Sequence, residues 1–93
     1  MMKPGMRVGA ILSADEKIVK LLGYGVYLGD EVPPASVDEF LSRFGMTNPK
    51  IALDNGNTVW GCQCWWASEE KAREMIGGRE IVDVRIPEEG ASR

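Results

Sequence analysis

Lys50-Ile51-Ala52-Leu53-Asp54-Asn55-Gly56-Asn57-Thr58-Val59-Trp60 sets two alternating runs on either side of Asn55-Gly56. Asn-Gly suits a type I′ turn, whose two central residues both need positive φ. The stretch therefore predicts a β-hairpin with strands Lys50–Asp54 and Asn57–Trp66. A two-residue loop sets the register, with Leu53 facing Thr58, Ala52 facing Val59, Ile51 facing Trp60 and Lys50 facing Gly61. Strand side chains alternate, so one face carries Ile51, Leu53, Trp60, Cys62, Cys64 and Trp66, the composition of a core. The other carries Lys50, Ala52, Val59, Gly61, Gln63 and Trp65, where a charge, an amide, an aromatic ring and bare backbone come together.

Towards the N-terminus, Met6–Ser13 and Lys17–Gly29 read as a first hairpin around the polar turn Ala14-Asp15-Glu16. Charges and Pro33-Pro34 end it. Ser36-Val37-Asp38-Glu39 has the form of a capping box. The helix it opens carries Val37, Phe40, Leu41 and Phe44 in a stripe suited to packing on a sheet, and Gly45 stops it. Towards the C-terminus, Ser68 caps a second helix that ends near Ile76. Its buried side is Ala72, Met75 and Ile76, and Gly77-Gly78 forms the exit. Ile81–Ile86 reads as a last strand beside one already formed. The expectation is a small α+β domain in the order β-β-α-β-β-α-β: one antiparallel sheet of two hairpins plus a last strand, with two short helices. It is a single domain over residues 1–87 with a flexible polar tail over 88–93.

Ninety-three residues give one core, at a size where oligomerisation often adds stability, and a homo-oligomer is expected. The N-terminal residues show no secretory pattern, and no run approaches the roughly 18 apolar residues of a membrane helix. The expected setting is the cytoplasm, with no membrane partner. Cys62 and Cys64 are one residue apart, too close for an unstrained disulfide, which fits a reducing compartment. The net charge of −3 without a basic run removes the counterion-release term that long nucleic acid needs. A small anion stays compatible, because two or three placed cations hold a phosphate.

The chain has no histidine. Two thiolates do not complete a four-ligand zinc site unless a second subunit brings another pair, and neither cysteine has an imidazole base to activate it. Asp30, Glu31 and Asp54 are loop-end acids, a position where carboxylates are usually just solvated. The expectation is a binding protein, not an enzyme, with no cofactor and no metal.

Along the second strand, Ile18, Leu22, Tyr24, Val26 and Leu28 share one face, and Gly23, Gly25, Tyr27 and Gly29 the other. Glycine weakens a strand, so such a run implies that something approaches the backbone closely. The approaching group is either a ligand or an aromatic ring of the same chain, such as Trp65. Trp60, Trp65 and Trp66 likewise serve as core, or else Trp65 or Tyr27 acts as a stacking platform or interface anchor.

Leu22-Gly23-Tyr24-Gly25-Val26-Tyr27-Leu28-Gly29-Asp30, with Asn48-Pro49-Lys50-Ile51-Ala52-Leu53-Asp54-Asn55-Gly56 and Val59-Trp60-Gly61-Cys62-Gln63-Cys64-Trp65-Trp66, resembles short accessory proteins of tailed bacteriophages. Small phage proteins without catalytic groups include sponges that sequester the nucleotide signals of CBASS or Thoeris immunity. That resemblance implies an oligomer with pockets at subunit contacts. Gly23 and Gly25 would let the ligand approach, Trp65 or Tyr27 would stack a base and Gln63 would read its edge. Lys50 or an arginine, from Arg7, Arg43 and Arg73, would meet phosphate. The competing expectation is a module that inhibits a host protein through an exposed aromatic or strand-edge surface.

Overall fold

The computed structural model describes residues 3–86; the tail expected over 88–93 lies outside them. Strands β1 (Arg7–Ala14), β2 (Ile18–Glu31), β3 (Asn48–Leu53), β4 (Thr58–Trp60), β5 (Trp65–Ser68) and β6 (Glu80–Asp83) form one sheet. Helix α1 (Glu39–Arg43) lies between β2 and β3, and α2 (Glu69–Ile76) between β5 and β6. The class is α+β and the order of strands and helices is the expected one. The long strand expected over Asn57–Trp66 is instead broken by a 3-10 turn at Gly61–Gln63, and its second half joins a different neighbour.

The strand order is β4-β3-β2-β1-β5, with β6 parallel to the first half of β2. β4 and β5 thus lie at opposite ends of the row although they are consecutive in the chain. A flat sheet would set them about 19 Å apart. The five steps from Trp60 to Trp65 reach at most about 18 Å when fully extended, and the 3-10 turn shortens them further. The sheet therefore curls until its two ends are bridged, and its concave face becomes the main core.

Glycine makes that curl. Gly23 has φ +143°, in the region that residues with side chains rarely adopt. It faces Ala10, next to the register shift between Ala10 and Ile11. On one side of it β2 pairs with β6 through Ile18–Leu21; on the other it pairs with β3 from Gly25 onward. The shift also lets both faces of β1 be buried. Val8 and Ala10 join Leu22, Tyr27, Ile51, Leu53 and Val59 inside, while Ile11 joins Val19, Leu21 and Ile76 under α2. Ala72 brings α2 so close to β1 that a β-carbon at Gly9 would lie 2.6 Å from its own.

The second hairpin departs from its expected register by one residue. Its loop has three residues, not two. The Gly56 amide donates to the Leu53 carbonyl (3.0 Å) and the Leu53 amide to the Asn57 carbonyl (2.8 Å). Only Gly56 has positive φ, +93°, whereas a type I′ turn would need it at Asn55 as well. Ile51 therefore faces Val59, and Lys50 faces Trp60. A one-residue slip exchanges the faces of a strand: Val59 enters the core and Trp60 moves to the side of Lys50.

Helix α1 also begins later than expected. The Pro34 carbonyl accepts the amides of Val37 and Asp38 (2.9 and 3.1 Å), which makes a turn of the residues expected to open the helix. Asp38, not Ser36, is the cap, its carboxylate accepting from the Leu41 amide at 2.9 Å. The helix that remains is five residues long and buries none of them. Ser68 caps α2 as expected, with Oγ accepting from the Lys71 amide at 3.2 Å. Ala72 and Ile76 are buried there, but Met75 is exposed.

Candidate functional site

The glycine face of β2 points into the curl. At Gly25 a β-carbon would lie 2.1 Å from the Ala52 carbonyl oxygen and 2.6 Å from the Leu53 Cα, so the backbone of β3 occupies the space beside it. At Gly23 the nearest groups are the Leu53 methyls at 3.7 Å and the Asn55 amide at 3.8 Å. The groups nearest these glycines are β3, its side chains and the turn that follows it, not Trp65. Gly29 sits at a second positive φ, with the Pro4 ring 3.5 Å from a built β-carbon.

Tyr27 is 7% exposed and belongs to the core. Its ring stacks on Trp66 with centroids 5.3 Å apart and planes at 22°. Its hydroxyl donates to the Asp30 carboxylate at 2.5 Å, and that hydrogen bond, with burial, raises its pKa. Lys50 and Gln63 both meet Trp60, where β4 runs into the 3-10 turn. The Lys50 ammonium is 3.4 Å from the Glu31 carboxylate and 5.7 Å from the centre of the Trp60 ring. Gln63 Oε1 accepts the Trp60 amide at 3.0 Å, and Asn48 Oδ1 accepts the Cys62 amide at 2.7 Å. Pro49 and the Trp66 indole nitrogen stand 3.0 Å from where a β-carbon on Gly61 would be. Gln63 and Asn48 thus brace the turn that closes the curl, while Lys50 is committed to Glu31 and Trp60.

Trp65 is brought elsewhere. It lies on β5 opposite Ile11 and is 42% exposed. The arginines weighed as phosphate ligands each have an acidic partner. Arg7 grips Asp54 with both terminal nitrogens (2.8 and 2.6 Å) and Glu69 through Nε (3.1 Å). Arg73 binds Glu69 at 2.9 Å, its guanidinium 4.5 Å from the centre of the Tyr24 ring, and Arg43 binds Glu39 at 3.4 Å. The Arg7 hydrogen bond holds Asp54 below the usual carboxylate range, and Arg73 followed by Arg7 does the same to Glu69.

The two thiols, both expected in the core, separate. Cys64 packs against the main cluster, and burial pushes its pKa up to about 11. Cys62 is exposed on the 3-10 turn, because that turn replaces the strand whose alternation would have turned it inward. Among the described residues no three Cys, Asp or Glu side chains group as metal ligands. No helix there is long and apolar enough to cross a membrane.

The surface that sequence reasoning missed is the connection from β2 to β3. Phe40 and Phe44 are each 62% exposed, the largest exposure among the big apolar side chains of the described residues. Their rings pack on one another, centroids 4.8 Å apart and planes at 48°. Val32 and Met46, at the two ends of the same connection, are also exposed. Apolar i, i+4 spacing looks alike whether the face meets a sheet or solvent. The available signal was length, since little more than one helical turn fits between the Pro34 turn and Gly45.

No family model, curated protein or solved structure matches the chain.

Proposed function

We propose that the chain is a binding module without a catalytic centre, and that its partner is a protein seated on the aromatic pair of α1. The observation that carries this reading is the exposure of Phe40 and Phe44 on a helix that buries none of its own residues. Each ring offers about 1.5–3 kcal/mol when taken out of water, and aromatic side chains are enriched where interfaces are driest. In the setting that the phage resemblance implies, the partner is a host factor that the module inhibits. Capture of a small nucleotide is the second reading. It keeps one support, the exposed indole of Trp65, which offers a stacking face.

Photo-cross-linking separates these readings. p-Benzoylphenylalanine replaces Phe44 in one variant and Lys20, exposed on β2, in a second. A discrete heterologous protein adduct from position 44 and none from position 20 is expected. Equal labelling from both positions, or an adduct of two copies of this chain, overturns the reading. So does a cyclic nucleotide that raises the melting temperature of the parent protein but not of Trp65→Ala, which puts nucleotide capture in its place.

A further inference from the structure

Asn55-Gly56 does more than turn the chain. In this dipeptide the backbone nitrogen of the glycine can close a ring onto the asparagine side-chain carbonyl, and glycine leaves that nitrogen unshielded. Both residues are exposed, and a β-carbon on Gly56 would meet nothing within 4 Å. Asn55 Oδ1 accepts the Asn57 amide at 2.9 Å, a bond whose loop of atoms includes the Gly56 nitrogen. It draws electron density from the side-chain carbonyl carbon and sets a donor where negative charge would gather during attack. The opposing contact is the Gly56 amide itself, which donates to the Leu53 carbonyl at 3.0 Å. That is one hydrogen bond at an exposed loop tip, the kind that opens at little cost. Neither other asparagine is so placed. Asn48 precedes Pro49, whose nitrogen carries no proton, and its Oδ1 holds the Cys62 amide at 2.7 Å. Asn57 precedes Thr58, whose branched side chain crowds the nitrogen.

We propose that Asn55 is a self-modifying site that converts, in the folded protein, to a mixture of aspartate and isoaspartate. The Gly56 nitrogen gives its proton to water and attacks Asn55 Cγ. The N–Cγ bond forms, the Cγ–Nδ2 bond breaks, and ammonia leaves with a proton returned by water. A second water then opens the cyclic imide. Opening at Cγ restores the main chain and leaves aspartate, whereas opening at the Asn55 backbone carbonyl carbon routes the main chain through Cβ and Cγ. Either product adds a negative charge next to Asp54, whose carboxylate Arg7 already holds. The isoaspartyl form also adds a carbon to the main chain of the loop that sets the β3–β4 register. The change falls beside the bend of the sheet, since the Asn55 amide nitrogen is 3.8 Å from a β-carbon built on Gly23. None of this depends on what binds α1.

The test ages the full chain at mildly alkaline pH, well below its melting temperature, beside a synthetic peptide spanning Lys50 to Trp60 as the unfolded reference. Peptide mapping by mass spectrometry follows the gain of about 1 Da that replacement of an amide by a carboxyl brings, and fragment ions place it. Conversion is expected at position 55 alone, no more than roughly tenfold slower than in the peptide, because only the turn hydrogen bond has to open. Asn55→Gln, whose longer side chain would have to close a larger ring, is expected to stay unchanged. A folded chain that converts more slowly than that limit, or not at all, overturns the proposal, as does conversion first at Asn48 or Asn57. The converted fraction, separated by its extra negative charge, is expected to melt below the parent, and equal melting would overturn the effect on the hairpin.

Discussion

The glycine run of β2 and the phenylalanine pair of α1 send opposite signals in sequence and end in the opposite places. Gly23 and Gly25 read as places that a ligand or an aromatic ring of the same chain approaches, yet β3 is what lies beside them, its backbone standing where the Gly25 β-carbon would be. Phe40 and Phe44 read as the buried stripe of a sheet-packing helix, yet they are the most exposed large apolar side chains described. A missing side chain marks close approach without saying what approaches. An apolar stripe marks a face that gains from being covered without saying that the same chain covers it.

That comparison is easiest to break at Gly25. Gly25→Ala is expected to cost about 3 kcal/mol or more, because backbone, not a movable side chain, fills the space. At roughly 4–8 °C per kcal/mol for a domain of this size, calorimetry reads the loss directly. Gly23→Ala, where there is room but φ is unfavourable, is expected to lose only about 1–2 kcal/mol. A Gly25→Ala protein as stable as the parent would mean that the position is open after all.

A middling effect is expected from the ion network that ties α2 to the second hairpin. Asp54 and Glu69 are held below their ordinary pKa by arginine, so their contribution is present at neutral pH and is lost as pH falls through the lowered values. Arg7→Ala is expected to melt a few degrees below the parent at neutral pH, with the gap closing as pH falls through the lowered values and the two carboxylates take up protons. A gap that stays constant with pH would assign the loss to the packing of the arginine stem and not to its charge.

The smallest effect should come from the phenylalanines. Phe40→Ser/Phe44→Ser is expected to keep the stability of the parent within about 0.5 kcal/mol per site, as exposed positions do. Chemical denaturation would measure it. A loss of several kcal/mol would show that the rings support the fold and would sharpen the comparison in favour of the sequence reading.

Much of the architecture was legible because it is local. Alternation named β1, β2 and β3, the Ser68 hydroxyl capped α2 where expected, and the glycines at both helix exits fell in place. The residues of the candidate site part company: Tyr27 packs in the core on Trp66, Lys50 lies on the opposite face of β3 from Ile51, Gln63 holds the start of the 3-10 turn, and Trp65 is exposed on β5. Asn55-Gly56 promised a hairpin and kept that promise, but the same dipeptide serves two loop lengths, and the three-residue one exchanged Val59 and Trp60 between faces.

By itself, then, the sequence determined the α+β class, the order of the elements and the lack of a histidine for catalysis, since these depend on residue type and on spacing within a few positions. The tertiary structure alone decided that the strand breaks after Trp60, that β5 crosses to pair with β1, that the glycines turn inward and that α1 is left uncovered. Each of these depends on where distant backbone lies once the sheet has curled, and the curl is the joint result of the bend at Gly23, the register shift beside it and a connection too short to leave the sheet flat.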